Sequence, residues 1–222
     1  MTVDRTVDRT FDKTSNNRGD MSAFAENFPH EDFFMQQARK NGAEVGAPDP
    51  TVGVGGLINF VVGLISAKSI VEIGTGSGVS GLWIFNGAPK EATFTSIDSE
   101  REHSASAKEI LEEAGISAQR FRLITGNIIE VVGKLADANY DLMIVRSAED
   151  MVDVVQESHR LLKTGGVLII DNALDGGKVA DPTQRDFETI ARRDSIKAIR
   201  EDSRWSATVL PIGGGALVAR KI

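Results

Sequence analysis

The sequence predicts an α/β protein built on a doubly wound, mostly parallel sheet that closes with an antiparallel hairpin. Three observations predict it. Between residues 69 and 171, short apolar runs of strand type alternate strictly with helical patterns, which specifies right-handed crossovers and a parallel sheet covered by helices on both faces. The first run, Ser69-Ile70-Val71-Glu72-Ile73, passes straight into the glycine turn Gly74-Thr75-Gly76-Ser77-Gly78 and then into a helix, the order expected of a ligand-cradling strand–turn–helix unit. The runs 205–210 and 216–220 are joined only by Pro211-Ile212-Gly213-Gly214-Gly215, and strands joined so tightly must be antiparallel. In such a sheet the ligand sits at the C-terminal ends of the parallel strands.

The chain has 222 residues, of which 41% are hydrophobic and 26% charged, the composition of one globular domain with a sizeable core. Its 25 Lys and Arg against 32 Asp and Glu, a formal charge of −7, argue against a nucleic-acid footprint, because phosphate backbones call for clustered cations. A small-molecule substrate fits better. With no cysteine, disulfides and thiolate metal sites are excluded. The polar start lacks the apolar core of a signal peptide, and the most apolar window, 52–65, is too short and glycine-rich to span a bilayer. The expected location is the cytoplasm, with no membrane or nucleic-acid partner.

Taken in order, residues 2–14 repeat the unit Thr-Val-Asp-Arg with small variations. Its charges cancel and it has no continuous apolar face, so residues 1–20 are expected to be a mobile polar tail, with Met21 an alternative start. Residues 21–222 form the single domain, with N-terminal helices over 21–66 and a Rossmann-like core over 67–222. Phe24, Phe28, Phe33, Phe34 and Met35 predict one or two short helices packed on the domain or on a partner chain, and a homodimer is expected. Asp49 before Pro50 reads as the cap of a helix carrying Leu57, Ile58, Val61, Val62 and Ile65. The second strand, 93–98, leads to a polar helix over 100–114 stopped by Gly115. Then come a strand at 121–125, a short helix with Ile128, Val131, Val132 and Leu135, a strand at 140–145, a helix near 151–162 closed by Lys163-Thr164-Gly165-Gly166, and a strand at 167–171. A loop over 172–182 and a helix over 183–199 precede the hairpin.

The glycines let the backbone turn sharply and come close to a ligand, so several N–H groups face one anion at the positive end of the following helix. Asp98 ends the second strand about 20 residues beyond the turn, where a ribose-binding carboxylate belongs. Gly76-Ser77-Gly78-Val79-Ser80-Gly81 also spells the dinucleotide pattern G-x-G-x-x-G. Its register is less convincing, because the strand ends at Ile73 and the first glycine of the turn is then Gly74.

Read as E-x-G-x-G-x-G, the turn resembles motif I of the class I S-adenosylmethionine-dependent methyltransferases. More narrowly, Tyr140-Asp141-Leu142, the run from Leu161 to Val167, Asp171-Asn172-Ala173-Leu174, the run from Gly177 to Pro182, and Leu210-Pro211-Ile212-Gly213 are similar to the small O-methyltransferases related to catechol and caffeoyl-CoA O-methyltransferase. The similarity covers about residue 46 onward. It implies a class I methyltransferase fold, seven strands in the order 3-2-1-4-5-7-6, and S-adenosylmethionine as cofactor. By the same resemblance Glu72, Gly74, Thr75, Gly76 and Ser80 would hold its methionine end, Asp98 the ribose, and Gly126 and Asn127 the edge of the adenine.

One departure stands out. Metal-dependent members of the family carry Asp-Ala-Asp-Lys after the fourth strand, and its first Asp joins the Asp-Asn pair after the fifth strand in binding Mg²⁺. Here the run reads Arg146-Ser147-Ala148-Glu149, while Asp171 and Asn172 are kept. A guanidinium repels a divalent cation, so no bound metal is expected; Asp171 and Asn172 are the ligands if one is bound. The candidate catalytic residues are Arg146, Asp171 and Glu149. Two readings of Arg146 stay open: it stabilises a substrate oxyanion while Asp171 or Glu149 takes the proton, or it forms an ion pair with Asp171 that fills the vacated site. His30, His103 and His159 are scattered, and the latter two fall on helix surfaces. Trp205 is expected to pack under the hairpin.

The function that follows is an S-adenosylmethionine-dependent O-methyltransferase acting on a small hydroxylated molecule. The alternative is a cofactor-binding protein that has lost catalysis and serves regulation or assembly. A nicotinamide oxidoreductase is disfavoured by the turn register and the hairpin.

Overall fold

The computed structural model describes residues 19–148 and 150–222. The predicted sheet is present: seven strands, β1 (Ser69–Ile73), β2 (Thr93–Asp98), β3 (Phe121–Thr125), β4 (Tyr140–Val145), β5 (Leu162–Ile170), β6 (Trp205–Leu210) and β7 (Ala216–Lys221), in the order β3-β2-β1-β4-β5-β7-β6. The first five strands pair in parallel, and β7 runs antiparallel to both β5 and β6. Among the described residues, helices that cover it are α1 (Phe33–Val45), α2 (Val52–Leu64), α3 (Val79–Gly87), α4 (Arg101–Glu113), α5 (Ile128–Val132), α6 (Met151–Leu161) and α7 (Phe187–Glu201). Residues 19–26 are also helical; the rest of the tail expected over 1–20 lies outside the described residues.

The central strands are buried on both faces and therefore read as continuous apolar runs. Ile70, Leu142, Ile144, Val167 and Ile169 face one core layer with α2 and α3 residues such as Ile58, Val62 and Ile84. Val71, Ile73, Met143, Val145, Leu168 and Ile170 face the other with Val154, Leu161 and Ile199. Trp205 packs beside this second layer, with its ring edge-on to His159 at 5.6 Å between centroids.

Three local expectations are corrected. Thr51, not Asp49, caps α2, accepting from the Val54 N–H at 3.4 Å; Asp49 is drawn away to the glycine turn. Strand β5 begins at Leu162 rather than 167, because Leu162 already pairs with Tyr140 and the register shift before Leu142 absorbs the glycines; Gly165 stands at φ 83° within it. Helix α7 starts at Phe187 rather than 183, since Asp186 caps it through the Thr189 N–H while Asp181 holds Thr183 in a turn.

Among the described residues no helix is long and apolar enough to cross a membrane.

Candidate active site

Strand β1 delivers the chain to Gly74, Gly76 and Gly78, at φ 93°, 59° and 95°, a region that side chains other than glycine adopt only with strain. Space demands glycine as well: a Cβ on Gly74 would lie 2.9 Å from the Ser147 backbone nitrogen. The turn is held by the neighbouring strand. Asp98, at the end of β2, accepts from the Thr75 N–H at 2.7 Å and the Gly76 N–H at 3.3 Å through one oxygen, and from the Glu100 N–H at 2.9 Å through the other. Beneath it, Thr75 Oγ1 bonds Ser96 Oγ at 2.8 Å, and Ser96 donates to Glu72 Oε2 at 2.9 Å. At the start of α3, Asp49 accepts from both the N–H and the hydroxyl of Ser77, at 3.1 and 2.7 Å, a carboxylate placed at the positive end of a helix.

The other half comes from the ends of β4 and β5. Arg146 follows β4, and its N–H bonds the carbonyl of Ile73 at 2.8 Å, so its side chain is anchored where the glycine turn begins. Its guanidinium donates to the carbonyls of Gly74, at 3.1 Å, and Pro48, and to Ser80 Oγ at 3.4 Å. The carboxylates of Glu72 and Asp171 each lie 3.7 Å away, which is ion-pair range but too long for a hydrogen bond. Arg146 Nε and Glu72 Oε1 are both buried without a hydrogen-bond partner. The Arg146–Asp171 pair, one of the two readings left open by the sequence, is therefore present only in a loose form, and most of the arginine's donors go to backbone carbonyls and Ser80.

Burial sets the charges here. Glu72 is fully enclosed, and desolvation pushes its carboxyl up to about 7 against the opposing pull of Arg146. Desolvation likewise raises Asp171, with Arg146 again opposing.

The two halves enclose a cleft of about 470 Å³. Of the candidate residues, Gly74, Asp98, Arg146, Asp171 and Asn172 line it. Glu72, Thr75 and Ser80 are buried behind the turn, and Gly76 spends its N–H on Asp98. Gly126 and Asn127 do not line the cleft; the Gly126 N–H bonds the Asp98 carbonyl at 3.0 Å and Asn127 caps α5, leaving Ile128 as the residue facing the space. Glu149 lies outside the described residues. Among the described residues no three His, Asp or Glu side chains gather as a cation site.

Sequence reasoning missed several residues. Asp49 was masked by its resemblance to a helix cap. His103 was assigned to a helix surface, yet its ring lies 3.3 Å from both oxygens of Asp98 and lines the cleft, because the first turn of α4 folds back onto the end of β2. Arg192 also lines the cleft. Its signal was legible: it shares a helix face with Ile196 and Ile199, four and seven residues on, so it sits on a buried stripe.

Sheet order, glycine turn and terminal-strand carboxylate define the class: a Rossmann-like α/β protein with the class I methyltransferase topology and its ligand cleft at the strand ends. The O-methyltransferase family profile matches residues 25–222, and the chain belongs to that family. Two proteins that carry O-methyltransferase names are similar along nearly their whole length. That of Mycobacterium bovis (strain BCG / Pasteur 1173P2) is 40% identical over 205 residues, 91% of this chain and 92% of its own. That of Mycobacterium avium (strain 104) is 39% identical over 219 residues, 98% and 99%. Among solved structures, a Corynebacterium glutamicum protein superposes with a TM-score of 0.84 at 31% identity, covering 93% of this chain and 97% of that one. The O-methyltransferase TomG of Streptomyces achromogenes, solved with S-adenosylmethionine, gives 0.80 at 26% identity, covering 90% and 94%.

Proposed function

We propose that this O-methyltransferase moves the methyl group of S-adenosylmethionine to a hydroxyl of a small acceptor, with the Arg146 guanidinium standing where metal-dependent relatives place a divalent ion. The observation that carries the reading is Arg146 itself, buried between the glycine turn and the Asp171-Asn172 pair with its Nε donor unused. The residues present fit the cofactor. The positive-φ glycines leave a cradle that a Cβ would fill, Asp98 brings a carboxylate to the cleft wall for the ribose, and Ile128 offers an apolar face for the adenine. When bound, the cofactor supplies an electrophilic methyl carbon on a sulfonium.

The chain's own task is to orient and ionise the acceptor. A phenol-like hydroxyl with a pKa near 10 costs about 4 kcal/mol to ionise at neutral pH. Arg146 offsets this by holding the developing oxyanion in a site shielded from water. Asp171 accepts the proton; its carboxyl, raised by burial, is a better base than an ordinary aspartate. A second reading, cofactor binding without transfer in a regulatory or assembly role, draws on the same arginine, because the family's metal ligand is missing at 146.

Methyl transfer assayed over phenols, catechols and hydroxy acids tests both. Transfer that persists in EDTA, gains little from Mg²⁺ and falls at least tenfold in Arg146→Ala, with S-adenosylhomocysteine affinity nearly unchanged, supports the arginine-assisted reaction. Strong stimulation by Mg²⁺ overturns it, and tight cofactor binding with no transfer to any acceptor favours the second reading.

A further inference from the structure

We propose that the methyl acceptor carries a carboxylate and that Arg192 receives it, so that the substrate class is a hydroxylated carboxylic acid. This rests on the methyl-transfer reading above and concerns the same cleft.

Arg192 projects from α7 between Met151, at the start of α6, and Asp175. Its side chain is 6% exposed, yet it forms part of the cleft wall beside Asp171 and Asn172. A guanidinium has five N–H donors. Among the described residues the hydrogen bond made here goes to a thioether, Met151 Sδ, at 3.9 Å. Nε has no partner, and the nearest carboxylates, those of Asp175 and Glu188, stand 4.0 and 3.9 Å away. A charge buried this deeply without good acceptors is costly, so its retention on a cleft wall points to an acceptor supplied from the cleft.

The neighbours do not account for it. Asp175 is already served by Thr189 Oγ1 at 2.7 Å and by Lys178 Nζ at 3.2 Å. Glu188 is 65% exposed on its side chain and is met by solvent. Asp171 takes the Asn172 N–H at 2.7 Å and faces Arg146. Arg192 is left with a planar fork of donors, the geometry that matches a carboxylate. A hydroxy acid would then set its hydroxyl toward Arg146 and Asp171 and its carboxylate on Arg192. A neutral catechol would leave the second guanidinium unmet. Arg192 is thereby a specificity-determining residue, and an acceptor lacking the acid is rejected because a buried cation stays unpaired.

The test is calorimetric titration of the full chain, loaded with S-adenosylhomocysteine, with 3,4-dihydroxybenzoate and with 3,4-dihydroxybenzamide. The expected result is at least tenfold tighter binding of the acid than of the amide. Arg192→Gln should abolish the preference without changing the affinity for S-adenosylhomocysteine, and Arg192→Lys should restore part of it; a melting curve for each variant checks the fold. Equal affinities in the wild type, no binding of the acid to the loaded protein, or a preference that survives Arg192→Gln overturns the proposal. Failure to bind S-adenosylhomocysteine strikes the methyl-transfer reading instead. The acid–amide comparison on the unloaded protein then decides the Arg192 site separately.

Discussion

At the ends of β1 and β2 most polar groups, Glu72 Oε1 excepted, find partners within the fold: the Thr75 and Gly76 N–H groups on Asp98, Thr75 Oγ1 on Ser96, Ser77 on Asp49. Over the ends of β4 and β5 two guanidiniums are only partly met. Arg146 and Arg192 each keep a buried Nε without a partner, and their carboxylate contacts lie between 3.7 and 4.0 Å. The first half is a backbone scaffold whose geometry is complete in itself. The second is a set of charges held between 3.7 and 4.0 Å apart. Substitutions in the first half should therefore damage fold and cofactor affinity together, whereas those in the second should change acceptor binding and turnover.

The sharpest way to break this contrast is Gly74→Val. At φ 93°, with the Ser147 nitrogen 2.9 Å from any Cβ, backbone strain and steric overlap should together cost on the order of 3–5 kcal/mol. Chemical denaturation would measure it, and S-adenosylhomocysteine binding should vanish in parallel. Wild-type stability in that variant would mean the turn is not fixed as described.

Glu72 joins the two halves, hydrogen-bonded to Ser96 on one side and 3.7 Å from Arg146 on the other. Its carboxyl is raised from 4.5 to about 7, so the folded state holds a proton that the unfolded chain releases. Stability from the neutral form is present below about 4.5 and is lost as the pH rises through 7, by about 3 kcal/mol. Glu72→Gln should escape this loss, so its melting temperature should exceed that of wild type at pH 8 by more than at pH 5. A pH-independent difference would show that Glu72 stays ionised and fully paired with Arg146.

Asp98→Asn removes a charged acceptor that serves both the turn and, in the proposed complex, the ribose. A loss of about 1.5–3 kcal/mol in S-adenosylhomocysteine affinity is expected, read by calorimetry on a protein that still melts cooperatively. Unchanged affinity would sever Asp98 from the cofactor.

The smallest effect belongs to Gly126→Ala. Gly126 has no positive φ, and the nearest atom to an added Cβ is Val131 Cγ2 at 3.6 Å, so stability and affinity should stay within about 0.5 kcal/mol of wild type. A large loss would return Gly126 to the cofactor site implied by the family resemblance.

The contrast also explains what the sequence disclosed. Alternation, the turn register after Ile73 and the hairpin were legible because local spacing encodes them: strands and helices have fixed periods, and positive-φ turns select glycine. Asp98 was legible for the same reason, standing at a set distance from the turn. His103 was not, because its role depends on how α4 leans over the end of β2; for Arg192 the buried helix face was legible through Ile196 and Ile199, but not the cleft that α7 turns it toward. Asp49 shows the limit plainly. Its spacing suited a cap on α2, but the Ser77 N–H and hydroxyl, 28 residues on, outcompete that local use, and Thr51 takes the cap.

Strand β7 follows every other strand in the chain, yet it lies between β5 and β6. During synthesis the sheet thus stays open along β5 until residues 216–221 have left the ribosome, and β6, already made, has no neighbour to pair with. Until that moment Leu168 and Ile170 lack the cross-strand partners Ala219 and Leu217, leaving an apolar edge exposed until β7 emerges. A nascent chain arrested before residue 216 should accordingly be protease-sensitive through β5 and β6 and resist digestion there only after β7 is released.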